Sequence, residues 1–179
     1  MNDVEGSNIK LIKPTILNKD AILDYRDEFA KNNEYISGSA SLGSADTFEV
    51  WLTNVENDKF NNPKAKRVPA TQYLAIRKSD KKLVGMVSIR HELNDYLEKY
   101  GGHIGYSIRK SERRKSYATQ LLKRALGYCR TLGLPSVLIT CEKENIGSAT
   151  VIKLNGGVLE NEVVTPEGTI TQRYWIALS

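Results

Sequence analysis

Cysteine and histidine are scarce in this 179-residue chain, which has two of each. Cys129 and Cys141 form no CxxC pair, and with only His91 and His103 beside them there is no metal-ligand spacing and no disulfide framework. The two thiols are expected to be reduced and buried, and no metal is expected. No stretch approaches the roughly 18 uninterrupted apolar residues of a membrane span. The opening MNDVEGSNIK has neither the basic start nor the apolar segment of a signal peptide. These absences point to a cytoplasmic protein with no membrane partner.

What is present is 40% hydrophobic residues, enough to bury one substantial core, so residues 1–179 are read as a single domain. The net charge of +5 and pI near 9.1 favour an anionic ligand or partner. No internal repeat or low-complexity tract appears.

Periodicity places the elements. IKLI (9–12) reads as a short strand. NKDAILDYRDEFAKN reads as a helix behind the cap candidate Asn18, with Ile22, Leu23, Arg26 and Phe29 at helical spacing. SADTFEVWLTNVEND repeats the pattern through Phe48, Trp51, Leu52 and Val55, with Ser44 or Asp46 as cap; this stripe is expected to be core. Residues 57–70 read as an exposed loop with the character of a mobile lid. TQYLAIRK and KLVGMVSIR flank SDK and predict an antiparallel hairpin with a bulge near Gly85. After a polar connection, HIGYSIR predicts a third strand of the meander.

From Ser116 the period changes: Ala118, Leu121, Leu122, Ala125, Cys129 and Leu132 share a helical face that ends before Gly133 and Pro135. SVLITC reads as a buried strand, and the strand, helix, strand order implies a parallel pair with a right-handed crossover. NIGSATVIKLNGG is a short helix capped by Asn145. VLENEVV and TITQRYWIAL around TPEG close the chain as a hairpin.

The segment RKSERRKSYAT (109–119) packs five basic side chains into its first seven positions, at the start of a helix. A first helical turn has unpartnered N–H groups and the positive end of the helix dipole, so it attracts anions. Arg113, Arg114 and Lys115 beside those donors suit two linked phosphates. A solvated basic surface is the plainer reading of the charge alone. A nucleic-acid partner is not expected, because one short cluster lacks an extended basic face with interleaved aromatics.

At these residues the sequence resembles the GNAT superfamily of N-acetyltransferases. The family's acetyl-CoA signature, Gln/Arg-x-x-Gly-x-Gly/Ala, lies across Arg113, Arg114, Lys115, Ser116, Tyr117 and Ala118. The element order fits over nearly the whole chain. GGHIGYSIRKSERRKSYAT and LITCEKENIGSATVIKLNGG resemble a bacterial subgroup of predicted acetyltransferases. The resemblance implies an α/β fold: a GNAT-like mixed, mostly antiparallel sheet flanked by helices, with a splayed central parallel strand pair. It also implies that acetyl-CoA is the co-substrate. Main-chain groups of Tyr106 and Ile108 would pair with the pantetheine arm, and amides of the signature residues and Thr119 would hold the pyrophosphate. Asn145 would approach the arm from the other side. Ser116 departs from the family's glycine, and Ile152 stands where many members have a tyrosine acid.

Transfer of an acetyl group to a primary amine by direct attack in a ternary complex needs a neutral nucleophile, a polarised carbonyl and a leaving thiolate. His91, Glu92, Asp95 and His103 are the candidate bases around the meander's second connection, with Glu92 first and His103 second; Tyr106 or water could protonate the thiolate. Glu92 and Asp95 read equally as solvated carboxylates, and His103 as a structural histidine. The acceptor, a small-molecule or peptide amine, would use residues 20–70, where Glu28, Glu34 and Glu49 are either ligands or surface charges. The alternatives are a non-catalytic acyl-CoA binding or sensing module, motivated by Ser116 and Ile152, and an interaction protein using the basic face. A homodimer through the terminal hairpin fits strands that lie toward a sheet edge.

Overall fold

Four stretches of alternating or continuous apolar residues pair first. In the computed structural model, which describes residues 6–58 and 67–178, β1 (Ile9–Ile12), β2 (Ala70–Arg77), β3 (Leu83–Arg90) and β4 (Ile104–Ile108) form one antiparallel sheet in the order β1-β2-β3-β4. The hairpin predicted around SDK is present. Its ladder slips between Ala75 and Ile76, opposite Gly85 and Leu83, which is the bulge expected near Gly85. A Cβ on Gly85 would lie 2.6 Å from Ile108 Cδ1 and 2.8 Å from the Ser107 carbonyl, so only glycine fits. The second sheet holds β5 (Ser136–Glu142), β7 (Ile170–Ala177) and β6 (Val158–Val164) in the order β5-β7-β6, with TPEG as the turn of the final hairpin.

Both faces of the first sheet are covered, which explains why TQYLAI is nearly continuous in apolar residues. On one face Tyr73, Val87, Ile89, Ile104 and Ile108 pack against α3 (Tyr117–Thr131) through Leu121, Leu122, Ala125 and Cys129. That core runs on into the second sheet and α4 (Ile146–Leu154). On the other face Leu74, Ile76 and Met86 pack against α1 (Lys19–Lys31) and α2 (Phe48–Asn57). Trp51 and Tyr25 are wholly buried there, and burying side chains of this size stabilises by about 1.5–3 kcal/mol each.

Three local readings need correction. The cap of α2 is Thr47, whose Oγ1 accepts from Val50 N–H at 3.2 Å. Ser44 ends a separate helical turn and Asp46 lies one residue too early. Asn18 stands before α1, but its Oδ1 accepts from Thr15 N–H at 2.9 Å and closes the preceding turn instead of capping α1. The buried seam of α1 is Ile22, Tyr25 and Phe29; Leu23 and Arg26 are only half-buried. The connection after β3 holds a π-helical turn at Leu97–Gly101 that its polar composition did not suggest. Most of the predicted lid loop, 59–66, lies outside the described residues.

β4 and β5 are not joined by a parallel ladder. They belong to different sheets and meet where His103 N–H donates to the Leu138 carbonyl at 2.7 Å and Leu138 N–H donates to His103 Nδ1 at 2.9 Å. Gly102 makes this approach possible: its φ is 68°, and a Cβ would sit 2.5 Å from the Leu138 carbonyl oxygen. Past this junction, no hydrogen bond joins the two strands among the described residues, and they splay.

Candidate active site

The helix start at α3 has an unusual backbone. Ser116, the residue before the helix, has φ 62° and ψ 8°, and Arg114 has φ 60°. A left-handed residue with a side chain costs about 1 kcal/mol, which is why glycine is favoured there. The turn leaves the amides of residues 114–119 without an acceptor among the described residues, and unpaired donors at the positive end of a helix favour an anion. The N–H of Gln120 is the first to enter the helical pattern, donating to Ser116 at 3.1 Å.

Most of the basic side chains next to that turn are already committed. Arg109 is buried, with Nε donating to Glu28 at 2.5 Å and Nη2 to Asp24 at 2.7 Å. Lys110 donates to Asn32 at 2.8 Å. Arg113 pairs with Glu34 and donates to the Ile108 carbonyl at 3.0 Å. Lys115 joins Arg77 and Lys82 around buried Glu112, at 2.8, 2.7 and 2.9 Å. Burial alone would raise the Glu112 pKa, but the hydrogen bonds from these three cations outweigh it and hold the carboxyl at about 2. Arg114 alone in this run has no partner among the described residues. The charge density expected to serve phosphates therefore mainly ties the segment to α1 and to the β2–β3 hairpin, leaving the amides and Arg114 open.

Tyr106 reaches across the splay. Its hydroxyl shares a 3.0 Å hydrogen bond with Ser148 on α4, whose N–H donates to Asn145 Oδ1 at 3.0 Å. Burial pushes the Tyr106 phenol up to about 12. Asn145 thus caps α4, as its position predicted. Position 152 is an isoleucine, fully buried, and so supplies no hydroxyl.

The candidate bases separate. His103 is the strut between the sheets: its Nδ1 is taken by Leu138 N–H, which assigns the ring proton to Nε2, and burial pushes its pKa down to about 4. The ring also lies edge-on to Trp175. His91 shares a 2.8 Å hydrogen bond with Thr71 and lies edge-on to Tyr128, on the α3 side of the sheet; burial lowers its pKa. Glu92 and Asp95 are exposed and without a described partner.

The segment after α1 lies on the opposite face of the sheet. Trp51 Nε1 donates to the Ser39 carbonyl at 2.7 Å and Gln72 Nε2 to the Gly38 carbonyl at 2.8 Å. Gly38, with φ 66°, rides so close to β4 that a Cβ would lie 2.1 Å from the Gly105 carbonyl oxygen. Between this segment and α1 is a cleft of about 380 Å³ lined by Arg26, Phe29, Glu34, Tyr35, Ile36 and Ser39, among others. The acidic candidates are all engaged: Glu28 by Arg109 and Ser111, Glu34 by Arg113, and Glu49 by Lys19. Gln72 and Arg90 escaped sequence reasoning, because a polar residue inside an apolar run carries no local sign of what it touches.

A family model described as the acetyltransferase (GNAT) domain matches residues 14–158, and the chain belongs to the GNAT acetyltransferases, whose co-substrate is acetyl-CoA. No curated protein matches the chain. Among solved structures it is similar to the spermidine N-acetyltransferase of Vibrio cholerae (19% identity, 96% of this chain and 95% of that one, TM-score 0.67). It is similar as well to the ribosomal-protein-S5-alanine acetyltransferase of Vibrio fischeri (15%, 98% and 96%, 0.71). A third is the microcin C7 self-immunity acetyltransferase MccE, solved with acetyl-CoA and AMP (18%, 96% and 93%, 0.65). At these identities the likeness is one of fold.

Proposed function

We propose that this protein transfers the acetyl group of acetyl-CoA to a primary amine by direct attack in a ternary complex. The observation that carries the reading is the run of open amides at residues 114–119, beside Arg114 and next to the end of β4, whose Ile108 carbonyl accepts from Arg113. Those donors suit a pyrophosphate. Main-chain groups of Tyr106 and the N–H of Ile108, whose carbonyl is taken by Arg113, suit the amide-bearing pantetheine arm.

The bound thioester supplies an activated acyl carbonyl. The amine nitrogen forms the new C–N bond as the C–S bond breaks, and the proton lost by the amine is matched by one gained at sulfur. Glu92, exposed beside the end of β3, is the base that takes the amine's proton. Tyr106, with its phenol near 12, is neutral at pH 7 and returns a proton to the thiolate. The conjugate thiol has an ordinary pKa of about 8.5, so this help is modest. His103 serves as the strut that sets where the splay begins.

Buried Ile152 and the strained Ser116 favour a second reading, an acyl-CoA binding module without turnover. Thiol release from acetyl-CoA over an amine panel separates the two. The transferase reading expects release with at least one amine, and Glu92→Gln to lower turnover by about 10²-fold or more with acetyl-CoA affinity unchanged. Binding without release for any amine supports the second reading. For the homodimer, β6 is an edge strand with Val158 and Val164 mostly exposed.

A further inference from the structure

The face of the first sheet turned toward α1 and α2 is not uniformly apolar. Gln72, Ser88 and Gly105 stand in register across β2, β3 and β4, with Arg90 two residues beyond Ser88 on the same side. Arg90 Nη1 donates to the Gly102 carbonyl at 2.9 Å and to the Gly101 carbonyl at 3.3 Å. Nothing among the described residues accepts from its Nε or Nη2, and no described carboxylate pairs with it. The Nε/Nη2 edge is the fork that binds a carboxylate through two parallel hydrogen bonds. Arg90 is partly buried, and burial lowers its pKa, so the charge is held at a cost that a bound anion would offset.

Two further observations mark the same place. Tyr35 and Tyr96, 82% and 57% exposed, are the electrostatic neighbours of Arg90, and Tyr35 also lines the cleft beside α1. With Nε2 assigned to the Gly38 carbonyl, Gln72 Oε1 is a buried side-chain atom with no partner among the described residues. The face thus offers an anion-binding fork and an orphan acceptor. Diagonal neighbours such as Gln72 and Arg90 lie about 7–8 Å apart. The main chain of Arg90 donates to the His103 carbonyl at 2.8 Å, three residues, or about 10 Å, from Tyr106.

We infer that Arg90 is a specificity-determining residue that binds a carboxylate carried by the amine acceptor, so the preferred acceptor class is a small amino acid rather than a polyamine. The inference rests on the acetyltransferase reading. A polycation would meet the Arg90 charge, and Glu34, the acid lining the cleft that Tyr35 shares, is already held by Arg113.

The test measures kcat/KM by thiol release from acetyl-CoA. Its acceptors are the common L-amino acids as free acids, the same compounds as carboxamides, and spermidine. The expected result is a free acid preferred over its carboxamide by about 10- to 100-fold, the worth of a charge-assisted hydrogen-bonded pair. That ratio should fall to near one in Arg90→Gln and be partly kept in Arg90→Lys. A carboxamide or spermidine used as well as any free acid overturns the inference, as does a ratio that survives in Arg90→Gln. If Arg90→Gln does not fold, the parent ratio and Arg90→Lys still decide. Failure of acetyl-CoA to bind in calorimetry would overturn the acetyltransferase reading itself, whereas binding and turnover without the carboxylate preference would overturn this inference alone.

Discussion

Arg109 and Arg114 lie five residues apart in one basic run, yet they do opposite work. Arg109 is buried against Glu28 and Asp24 and ties the segment after β4 to α1. Arg114 is exposed, sits in a left-handed turn and has no partner among the described residues. Charge in a sequence therefore divides into cations that hold the scaffold and cations left unpaired, and the proposed phosphate site draws on the second kind. Arg90 stands between the two: its Nη1 is spent on the Gly101 and Gly102 carbonyls, and its Nε/Nη2 edge has no partner among the described residues.

The largest effect that would sharpen this division is expected for Arg109→Met. Removing one side of a buried ion pair leaves Glu28 and the Leu83 carbonyl without their cation, and chemical denaturation should show a loss of about 3 kcal/mol. A loss under about 0.5 kcal/mol would break the comparison, because Arg109 would then be no more structural than Arg114.

Next comes Glu112→Gln, expected to cost about 2–3 kcal/mol at neutral pH. The folded pKa of Glu112 is depressed to about 2 from 4.5. Its contribution is therefore present above the unfolded value and is lost as pH falls from about 4.5 toward 2. Urea unfolding across that window should be steeper in pH for the parent than for the variant, and parallel curves would remove Glu112 from the scaffold. A smaller change, a gain of up to about 1 kcal/mol, is expected for Ser116→Gly, which relieves the left-handed serine. Thermal unfolding checks it, and a lower melting temperature would show that the serine side chain contributes more than its backbone costs.

The helices and hairpins were legible because period and turn chemistry are local: Phe48, Trp51 and Val55 mark one face, and TPEG marks one turn. The signature turn was legible too, as a change of period immediately after a basic run. Its use of that charge was not, because Arg109 meets Glu28 across 81 positions of sequence and nothing near either residue announces the pairing. The same holds for His103, whose role as a strut depends on Leu138, 35 residues away. The cap of α2 was misplaced because Ser44, Asp46 and Thr47 are all good cap residues, and only backbone angles choose among them. The splay was expected from the family resemblance, since a strand, helix, strand pattern by itself predicts an ordinary parallel ladder.

The most direct test of the central claim, that the open amides and Arg114 hold the phosphates of acetyl-CoA, is a calorimetric titration of acetyl-CoA into the parent and into Arg114→Ala. The account predicts binding by the parent, weakened about tenfold or more in the variant, with unfolding stability changed by less than about 0.5 kcal/mol. Equal affinity in the two proteins, or no binding by the parent, would contradict it.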